Sequence, residues 1–178
     1  MHKMVVVPYN PKWKAQFKLL ERRLLASSDS ILKVEHTGST AIVGMLAKPI
    51  IDMIAVISEI KDFEKVKNDL AKLGYEHVGD LGIKGREAFS HQHEIAHHLY
   101  ICHHSATELH RQILFRDYLN ADLKARAEYR KIKEEIIATV GLNNRAEYVK
   151  LKAENYQYFF DEILAKDETS TSKKSNTE

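Results

Sequence analysis

Cysteine, proline and long apolar runs are scarce in this sequence of 178 residues. Cys102 is the only cysteine, so no disulfide can form within the chain and nothing indicates an oxidising compartment. Three prolines and seven glycines are too few for a collagen-like or low-complexity chain. The longest apolar stretch, residues 41–57, contains Lys48, Pro49 and Asp52, whereas a membrane span needs about 20 uninterrupted apolar residues. Because no secretory signal is recognisable either, we expect a soluble cytoplasmic protein that does not enter a membrane.

An excess of charge of one sign is also missing. The 27 lysines and arginines nearly balance the 25 aspartates and glutamates, and this balance gives no indication of a nucleic-acid partner. Hydrophobic residues make up 44% of the chain, enough for a core without a disulfide or a structural metal. We predict a single domain over residues 1–165 and a disordered tail over 166–178, which has no large apolar side chain. Ten histidines are the unusual feature of the composition.

Hydrophobic periodicity predicts an α+β protein with a mixed or antiparallel sheet of about five strands. A first amphipathic helix begins after Asn10 and ends near Ser28. A second helix ends at Gly74, and the last three helices begin near Ser105, Asp122 and Asn144. The segments with the composition or alternation of strands are 31–36, 49–57, 75–78, 87–91 and 98–102.

Residues 93–97 match the H-E-x-x-H motif of zinc hydrolases. That chemistry needs both histidines on one face of a helix, with the glutamate beside them as a base. Residues 96–102 alternate like a strand, and 87–93 carry no apolar stripe at helical spacing. We therefore reject the metalloprotease interpretation.

Asp52 is the one charge in the apolar strand 49–57, and we expect it to be buried there. A buried acid costs several kcal/mol unless it is paired or bound to a metal, so Asp52 is a candidate metal or substrate ligand. The alternative is a structural acid that backbone amides satisfy. Gly38 and Ser39 form a small turn, separated from Asp52 by twelve intervening residues, where backbone N–H groups and a hydroxyl could approach a phosphate. Ser39 could equally be an ordinary turn former.

The spacing of Gly38, Ser39 and Asp52 resembles the signature of the nucleotidyltransferase, or polymerase-β-like, superfamily. In that signature a second acid follows two positions after the first, but this sequence has Ile54 there. The segment resembles the GrpB family more closely, with HTGSTAIVG at 36–44 and KPIID at 48–52. Further GrpB-like elements follow in the same order, namely HHLY at 97–100, FRDYL at 115–119, YRKIK at 129–133 and YVKLK at 148–152.

The GrpB resemblance implies a nucleotidyltransferase-like core with flanking helices and a C-terminal layer of three helices. It also implies a nucleotide or another phosphorylated small molecule as the ligand. The superfamily contains active nucleotidyltransferases and members that kept the fold without the chemistry. Two hypotheses therefore stay open, namely transfer of a nucleoside monophosphate from a triphosphate to an unknown acceptor, and a catalytically inactive nucleotide-sensing or protein-interaction module. The sequence determines neither the acceptor nor the oligomeric state.

Asp52 is the candidate catalytic residue and metal ligand under the first hypothesis. His36 and His98 are candidates for the metal ligands that Ile54 does not supply. A carboxylate with imidazoles suits zinc, manganese or iron better than magnesium, so the identity of the divalent metal, whether magnesium, manganese or zinc, stays open. For either histidine alone, the alternative is a hydrogen-bonded position in the core or at its rim.

Cationic and aromatic side chains are candidates for binding the ligand, because they neutralise phosphates and stack on bases. Tyr129 and Lys133 are also i,i+4 neighbours, so a plain pair on a helix surface is the alternative for them. The candidate substrate-binding set is Gly38, Ser39, Lys48, Arg86, Arg116, Tyr129 and Lys133.

Overall fold

The computed structural model describes residues 5–141 and 144–174, apart from the side chains of 145 and 164–174. It divides into two compact units, one over Val7–Arg116 and one that combines Met1–Val6 with Asp117–Glu178. None of the helices in the described part of the chain is both long and apolar enough to cross a bilayer.

The first unit is built around a five-stranded mixed sheet, which confirms the predicted α+β class. The strand order is β1-β2-β5-β4-β3; β2 and β5 run parallel, and the other neighbours are antiparallel. The strands are β1 (Ile31–Thr37), β2 (Ile51–Ile57), β3 (Glu76–Gly79), β4 (Arg86–Ser90) and β5 (His97–His103). The α-helices are α1 (Lys12–Ser27), α2 (Phe63–Ala71), α3 (Thr107–Ala121), α4 (Leu123–Val140) and α5 (Arg145–Lys174).

One face of the sheet is packed against α1 and α2. Successive side chains of a strand point to opposite faces, so Met53, Ala55 and Ile57 of β2 share this face. They pack in one apolar cluster with Leu99 and Ile101 of β5 and with side chains of both helices. The helical residues of this cluster are Phe17, Leu20 and Leu24 of α1 and Val66 and Leu70 of α2.

The other face carries a smaller apolar cluster towards the C-terminal end of β2. Ile54, Val56 and Cys102 pack there with Leu109 of α3, and Tyr100 lies at the edge of the cluster. Burial raises the pKa of the Cys102 thiol to about 12, so this cysteine is an inert core residue. Helix α3 therefore covers the part of this face that carries Ile54 and Val56. Asp52 lies on the same face, two residues before Ile54 in β2.

Side-chain caps start the helices where the sequence indicates. The Asn10 carboxamide oxygen accepts from the Lys12 backbone N–H at 3.0 Å. Asp122 accepts from the N–H groups of Lys124 and Ala125 at 2.9 and 3.0 Å, and Asn144 accepts from that of Glu147 at 3.2 Å. Local hydrogen bonds thus determine where these helices begin.

The second unit contains α4 and α5, which share an apolar cluster centred on Ile136 and Tyr148. Helix α5 extends to Lys174, nine residues beyond the predicted end near Ala165. The predicted disordered tail, 166–178, falls on residues whose side chains lie outside the described structure, and it stays a prediction. The predicted single domain over residues 1–165 also stays a prediction, since the division into two compact units does not test it.

Candidate functional site

Asp52 and His98 form a hydrogen-bonded pair on the face of the sheet opposite to α1 and α2. Asp52 of β2 lies directly between Thr37 of β1 and His98 of β5, so the three side chains share one face. His98 Nδ1 and Asp52 Oδ1 are 2.8 Å apart. The structure therefore brings together two of the three predicted metal ligands.

The expectation that Asp52 is buried is wrong. Its side chain is 32% exposed and that of His98 is 52% exposed, because both residues are the second of their strands and lie outside the cover of α3. The remaining residues of β2 are all buried. The energetic cost of a buried acid thus gives no argument for a ligand at Asp52, but the exposure leaves the carboxylate accessible to one.

Gly38 lies against the Asp52 carboxylate. Its backbone has φ of +67° and ψ of −172°, a region that only glycine adopts readily. A Cβ atom at this position would lie 2.9 Å from Asp52 Cγ and would collide with the carboxylate oxygen Oδ2. Ser39 then begins a short 3-10 turn, Ser39–Ala41. The absence of a side chain at Gly38 is what lets the chain turn directly beside the acid.

His36 lies on the opposite face of the sheet from Asp52 and His98. It is paired with Met53, its ring stacks on Phe17 of α1 with centroids 4.7 Å apart, and its Nε2 lies 2.9 Å from the Thr40 hydroxyl. Burial lowers the pKa of His36 to about 4. The register of β1 therefore separates His36 from the other two predicted metal ligands, and among the described residues these three do not form a metal-binding group.

Glu35 is a site residue that the sequence reasoning missed. It pairs with Ile54, so it occupies the strand beside the position where the superfamily has its second acid. Arg116 Nη1 donates to Glu35 Oε2 at 2.7 Å and to the His36 carbonyl at 2.9 Å, and Lys33 lies 2.8 Å from Glu35 Oε1. Burial alone would raise the pKa of Glu35, but hydrogen bonds from Lys33 and Arg116 outweigh it and the pKa is lowered. No local signal marked Glu35, because β1 also carries Lys33, His36 and Thr37.

Arg86 stacks on Tyr100, which follows His98 by two residues on the same face of β5. The guanidinium carbon lies 4.2 Å from the centroid of the Tyr100 ring. Arg86 Nε is buried and has no hydrogen-bond partner among the described residues. Burial raises the pKa of Tyr100, the Asp52 charge raises it further, and Arg86 opposes this. Lys48 is half-buried in the loop that leads into β2.

Tyr129 and Lys133 lie in α4, which belongs to the second compact unit. Both are buried, at 2% exposure, so a pair on the helix surface is not what the structure has. Lys133 Nζ lies 5.8 Å from the centroid of the Tyr129 ring, and that ring contacts Phe159 at 5.4 Å between centroids. Burial raises the pKa of Tyr129 far above its usual range. Their proposed contact with a ligand stays a prediction.

The H-E-x-x-H residues are not helical, which confirms the reason for rejecting a metalloprotease. Residues 91–96 form a loop, and His97 is the first residue of β5. His91, His93 and His97 nevertheless form a compact group of imidazoles packed around Tyr75. Burial lowers the pKa of His97 to about 4.

A family model described as GrpB protein matches residues 3–166 of this chain. The chain belongs to the GrpB family. It is 32% identical over 169 residues to the glutamate-rich protein GrpB of Alkalihalophilus pseudofirmus, covering 90% of this chain and 94% of that protein. It is 31% identical over 161 residues to the protein YqkA of Bacillus subtilis, and this match covers 86% of this chain but only 47% of YqkA.

Solved structures support the family assignment and extend the likeness to nucleotidyltransferases. The crystal structure of the conserved protein GrpB from Enterococcus faecalis superposes with a TM-score of 0.79 at 28% identity, over 91% of this chain and 98% of that one. Cid1 in complex with the UTP analogue UMPNPP has a TM-score of 0.50 at 14% identity, over 81% of this chain and 48% of Cid1. A structure of the Cid1 poly(U) polymerase with MgGTP bound has a TM-score of 0.52 at 12% identity. At such identities the likeness to Cid1 shows the fold, and the fold of this GrpB-family chain is that of the nucleotidyltransferases.

Proposed function

We propose that this GrpB-family protein binds a nucleotide or a related phosphorylated small molecule, together with a divalent cation, at the corner formed by Gly38, Asp52 and His98. The observation that carries the proposal is the position of the Asp52–His98 pair, partly exposed and directly against the Gly38 turn. Because Gly38 has no side chain, phosphate oxygens can approach both its backbone and a cation held by Asp52. The fold shared with Cid1, of which structures with UMPNPP and MgGTP exist, supports a nucleotide.

The donor set at this corner fits a cation that takes its remaining ligands from the phosphates and from water. Asp52 would hold the cation through its carboxylate, with His98 as the neighbouring imidazole. When bound, the cation would neutralise phosphate charge and polarise the phosphoryl group. An imidazole beside a single carboxylate favours manganese or zinc over magnesium, which prefers oxygen ligands.

Arg86 is the cation best placed to contact the phosphates. Its guanidinium is held against Tyr100 by stacking, and its buried Nε has no hydrogen-bond partner in the described part of the chain. Arginine recognises phosphate oxygens through paired N–H groups. Lys48 would add charge from the loop before β2. Arg116, in contrast, contacts Glu35 and the His36 carbonyl, so we assign it to holding β1 in place.

Nucleotidyl transfer requires more than this binding corner supplies. The acceptor oxygen would form a bond to the α-phosphorus while the bond to pyrophosphate breaks, and the two-metal form of this chemistry needs at least two acids. Ile54 is 1% exposed and apolar, and the adjacent Glu35 is engaged by Lys33 and Arg116. These contacts favour the second candidate function, a nucleotide-binding module without transfer.

Thermal unfolding with nucleoside triphosphates and monophosphates tests the binding proposal. Each nucleotide is added with magnesium, manganese, zinc or chelator to wild type, Asp52→Asn and the control Glu59→Gln, an exposed acid beyond the other end of β2. A ligand at 100 times its Kd should stabilise the protein by about 2.7 kcal/mol. We expect a metal-dependent rise in Tm for wild type and the control that Asp52→Asn loses. Equal shifts in Asp52→Asn and wild type, or none in either, would overturn the proposal.

The same samples separate the enzyme from the inactive module. Release of pyrophosphate that Asp52→Asn abolishes would support transfer. Metal-dependent binding without any product, over a panel of small-molecule and protein acceptors, would support the module.

A further inference from the structure

We propose that His91, His93 and His97 form a structural site for a transition-metal ion, zinc being the closest fit. This site is separate from the corner at Asp52, and the proposal does not rest on the proposed function. His97 and His98 are consecutive in β5, so their side chains lie on opposite faces of the sheet. One ligand nitrogen from each of the three histidines lies within 4.8 Å of the others, and no other such group occurs among the described residues.

Backbone hydrogen bonds define the tautomer of each imidazole. His91 Nε2 lies 2.6 Å from the His97 carbonyl, and His97 Nδ1 lies 2.6 Å from the Ile95 carbonyl. His93 Nε2 lies 2.8 Å from the Leu73 carbonyl. A carbonyl only accepts, so each of these ring nitrogens must carry the proton and donate.

The second nitrogen of each neutral ring therefore carries a lone pair. In His93 it is unoccupied within the described structure, and in His91 and His97 a metal would replace a hydrogen bond that the nitrogen accepts. His93 Nδ1 is buried and has no hydrogen-bond partner in the residues that the structure describes. His91 Nδ1 accepts from the His93 backbone N–H at 3.0 Å, and His97 Nε2 accepts from the Tyr75 hydroxyl at 2.7 Å. A buried nitrogen without a partner is costly, and a bound cation would satisfy it.

The N–H groups bonded to carbonyls meet one requirement of a histidine-bound metal. Ligating histidines almost always donate their other N–H to a carbonyl or carboxylate, which orients the ring and raises its basicity. The His91 and His97 rings are stacked with centroids 3.7 Å apart, so one of them would turn for both lone pairs to reach the same ion. Three neutral imidazoles suit zinc, copper or nickel, and zinc sites with three protein ligands take a water or a further oxygen in the fourth position. The Tyr75 hydroxyl is an oxygen of this kind near the group, 2.7 Å from His97 Nε2.

The site would join two segments, namely the β4–β5 loop with the start of β5, and the turn after α2, which is 20 residues from His93 in the chain. His91 and His93 belong to the β4–β5 loop, His97 begins β5, and the Leu73 carbonyl belongs to the turn after α2. Binding of a metal to the folded state alone would stabilise this end of the sheet. Glu94, the glutamate of the sequence motif, is exposed, so we assign the site a structural role.

Metal titration of the untagged protein, prepared without a nickel column, tests the site. In Asp52→Asn, which lacks the carboxylate of the other proposed cation site, we expect saturable binding of a single equivalent of zinc, a rise in Tm of several degrees that chelator reverses, and visible absorption typical of four-coordinate cobalt when Co²⁺ replaces zinc. The variant His93→Gln keeps an N–H donor for the Leu73 carbonyl but loses the ring lone pair, and we expect it to lose at least tenfold in zinc affinity. The control His110→Gln alters an exposed histidine of α3 and should bind as wild type does.

A second measurement on the wild type keeps the test valid if His93→Gln does not fold. Nitrogen-15 NMR of the imidazoles should show zinc-dependent shifts for His91, His93 and His97, with no change at His104 or His110. Binding that is unaltered in a folded His93→Gln, or zinc shifts confined to other histidines, would overturn the proposal. Asp52→Asn should bind zinc at this site as wild type does, so failure here is distinguishable from failure at the nucleotide corner.

Discussion

The two faces of β2 and β5 differ in what covers them, and this difference locates the candidate site. On one face, α1 and α2 bury Met53, Leu99 and their neighbours in a continuous apolar cluster. On the other face, α3 covers Ile54 and Val56 but not Asp52, which stays partly exposed. The same two strands thus supply a rigid base from one side and an accessible polar corner on the other. Ligands bind where polar groups are held by a packed scaffold and still reach solvent.

The largest expected effect comes from placing an acid on the part of the open face that α3 covers. Ile54→Asp restores the second acid of the superfamily pattern, but position 54 is buried in the cluster beneath α3. Loss of the apolar side chain and burial of a carboxyl group should together cost about 4 kcal/mol of unfolding free energy.

Urea unfolding measures this cost, with Ile54→Val as the control at about 1 kcal/mol. If Ile54→Asp were as stable as wild type, this part of the face would be open enough to hold a second metal ligand. The distinction between a part of this face that α3 covers and a part that stays accessible would then be wrong.

Gly38→Ala should disturb the uncovered corner without changing the packed face. The backbone at position 38 has a positive φ, and the added methyl group would collide with the Asp52 carboxylate. We expect a loss of about 3 kcal/mol in unfolding free energy, of the order of the strain at such backbone positions plus a clash.

The matched control is Gly82→Ala, which also has a positive φ but open space around the added atom. It should cost about 1 kcal/mol, since only the backbone strain applies. Equal losses for the two variants would show that Gly38 is not in close contact with Asp52.

Acid should destabilise the protein through His36 on the packed face. Its pKa is about 4 when folded against an ordinary value of 6.5, because burial disfavours the charged ring. Between these values the unfolded chain binds the extra proton, so the contribution of His36 to stability is present above pH 6.5 and is lost as the pH falls towards 4. We expect His36 to add a slope of about 1.4 kcal/mol per pH unit within this window.

Urea unfolding of wild type and His36→Gln between pH 4.5 and 7 checks this slope. The variant should lose less stability in acid than wild type does. Parallel pH profiles would show that His36 titrates normally and is not enclosed by α1.

The smallest effect is expected from Tyr75→Phe beside the histidine group. It removes the hydrogen bond to His97 Nε2 and should cost about 1 kcal/mol of unfolding free energy without metal. Because it also frees that nitrogen, zinc affinity should be retained or raised. Calorimetric zinc titration of the variant measures this, and loss of binding would mean that the Tyr75 oxygen is itself required.

Local signals in the sequence predicted most of the elements and the family. Asn10, Asp122 and Asn144 start helices through hydrogen bonds to amides two or three residues away, so their effect is visible without tertiary structure. The apolar alternation of the strands and the GrpB motifs were equally local. The pairing of Asp52 with His98 was predicted as a set of ligands, and the register of β2 and β5 brings these two together.

Four features of the structure could not be predicted from the sequence. Whether His36 lies on the same face of the sheet as Asp52 depends on the register of β1 against β2, and no local pattern encodes that register. Whether Asp52 is buried depends on how much of that face of the sheet α3 covers. Arg116 contacts Glu35, which is 81 positions away in the chain. The grouping of His91, His93 and His97 around Tyr75 joins the β4–β5 loop to a residue 16 or more positions earlier in the chain, and no local pattern encodes that contact.

The sequence by itself determined the secondary structure, the family and the residue types available for chemistry, because these depend on short-range periodicity and on motifs. Only the tertiary structure decided which of those residues meet. It separated His36 from His98, left Asp52 partly exposed and assembled His91, His93 and His97, because strand register and the packing of helices on the sheet arise from long-range contacts.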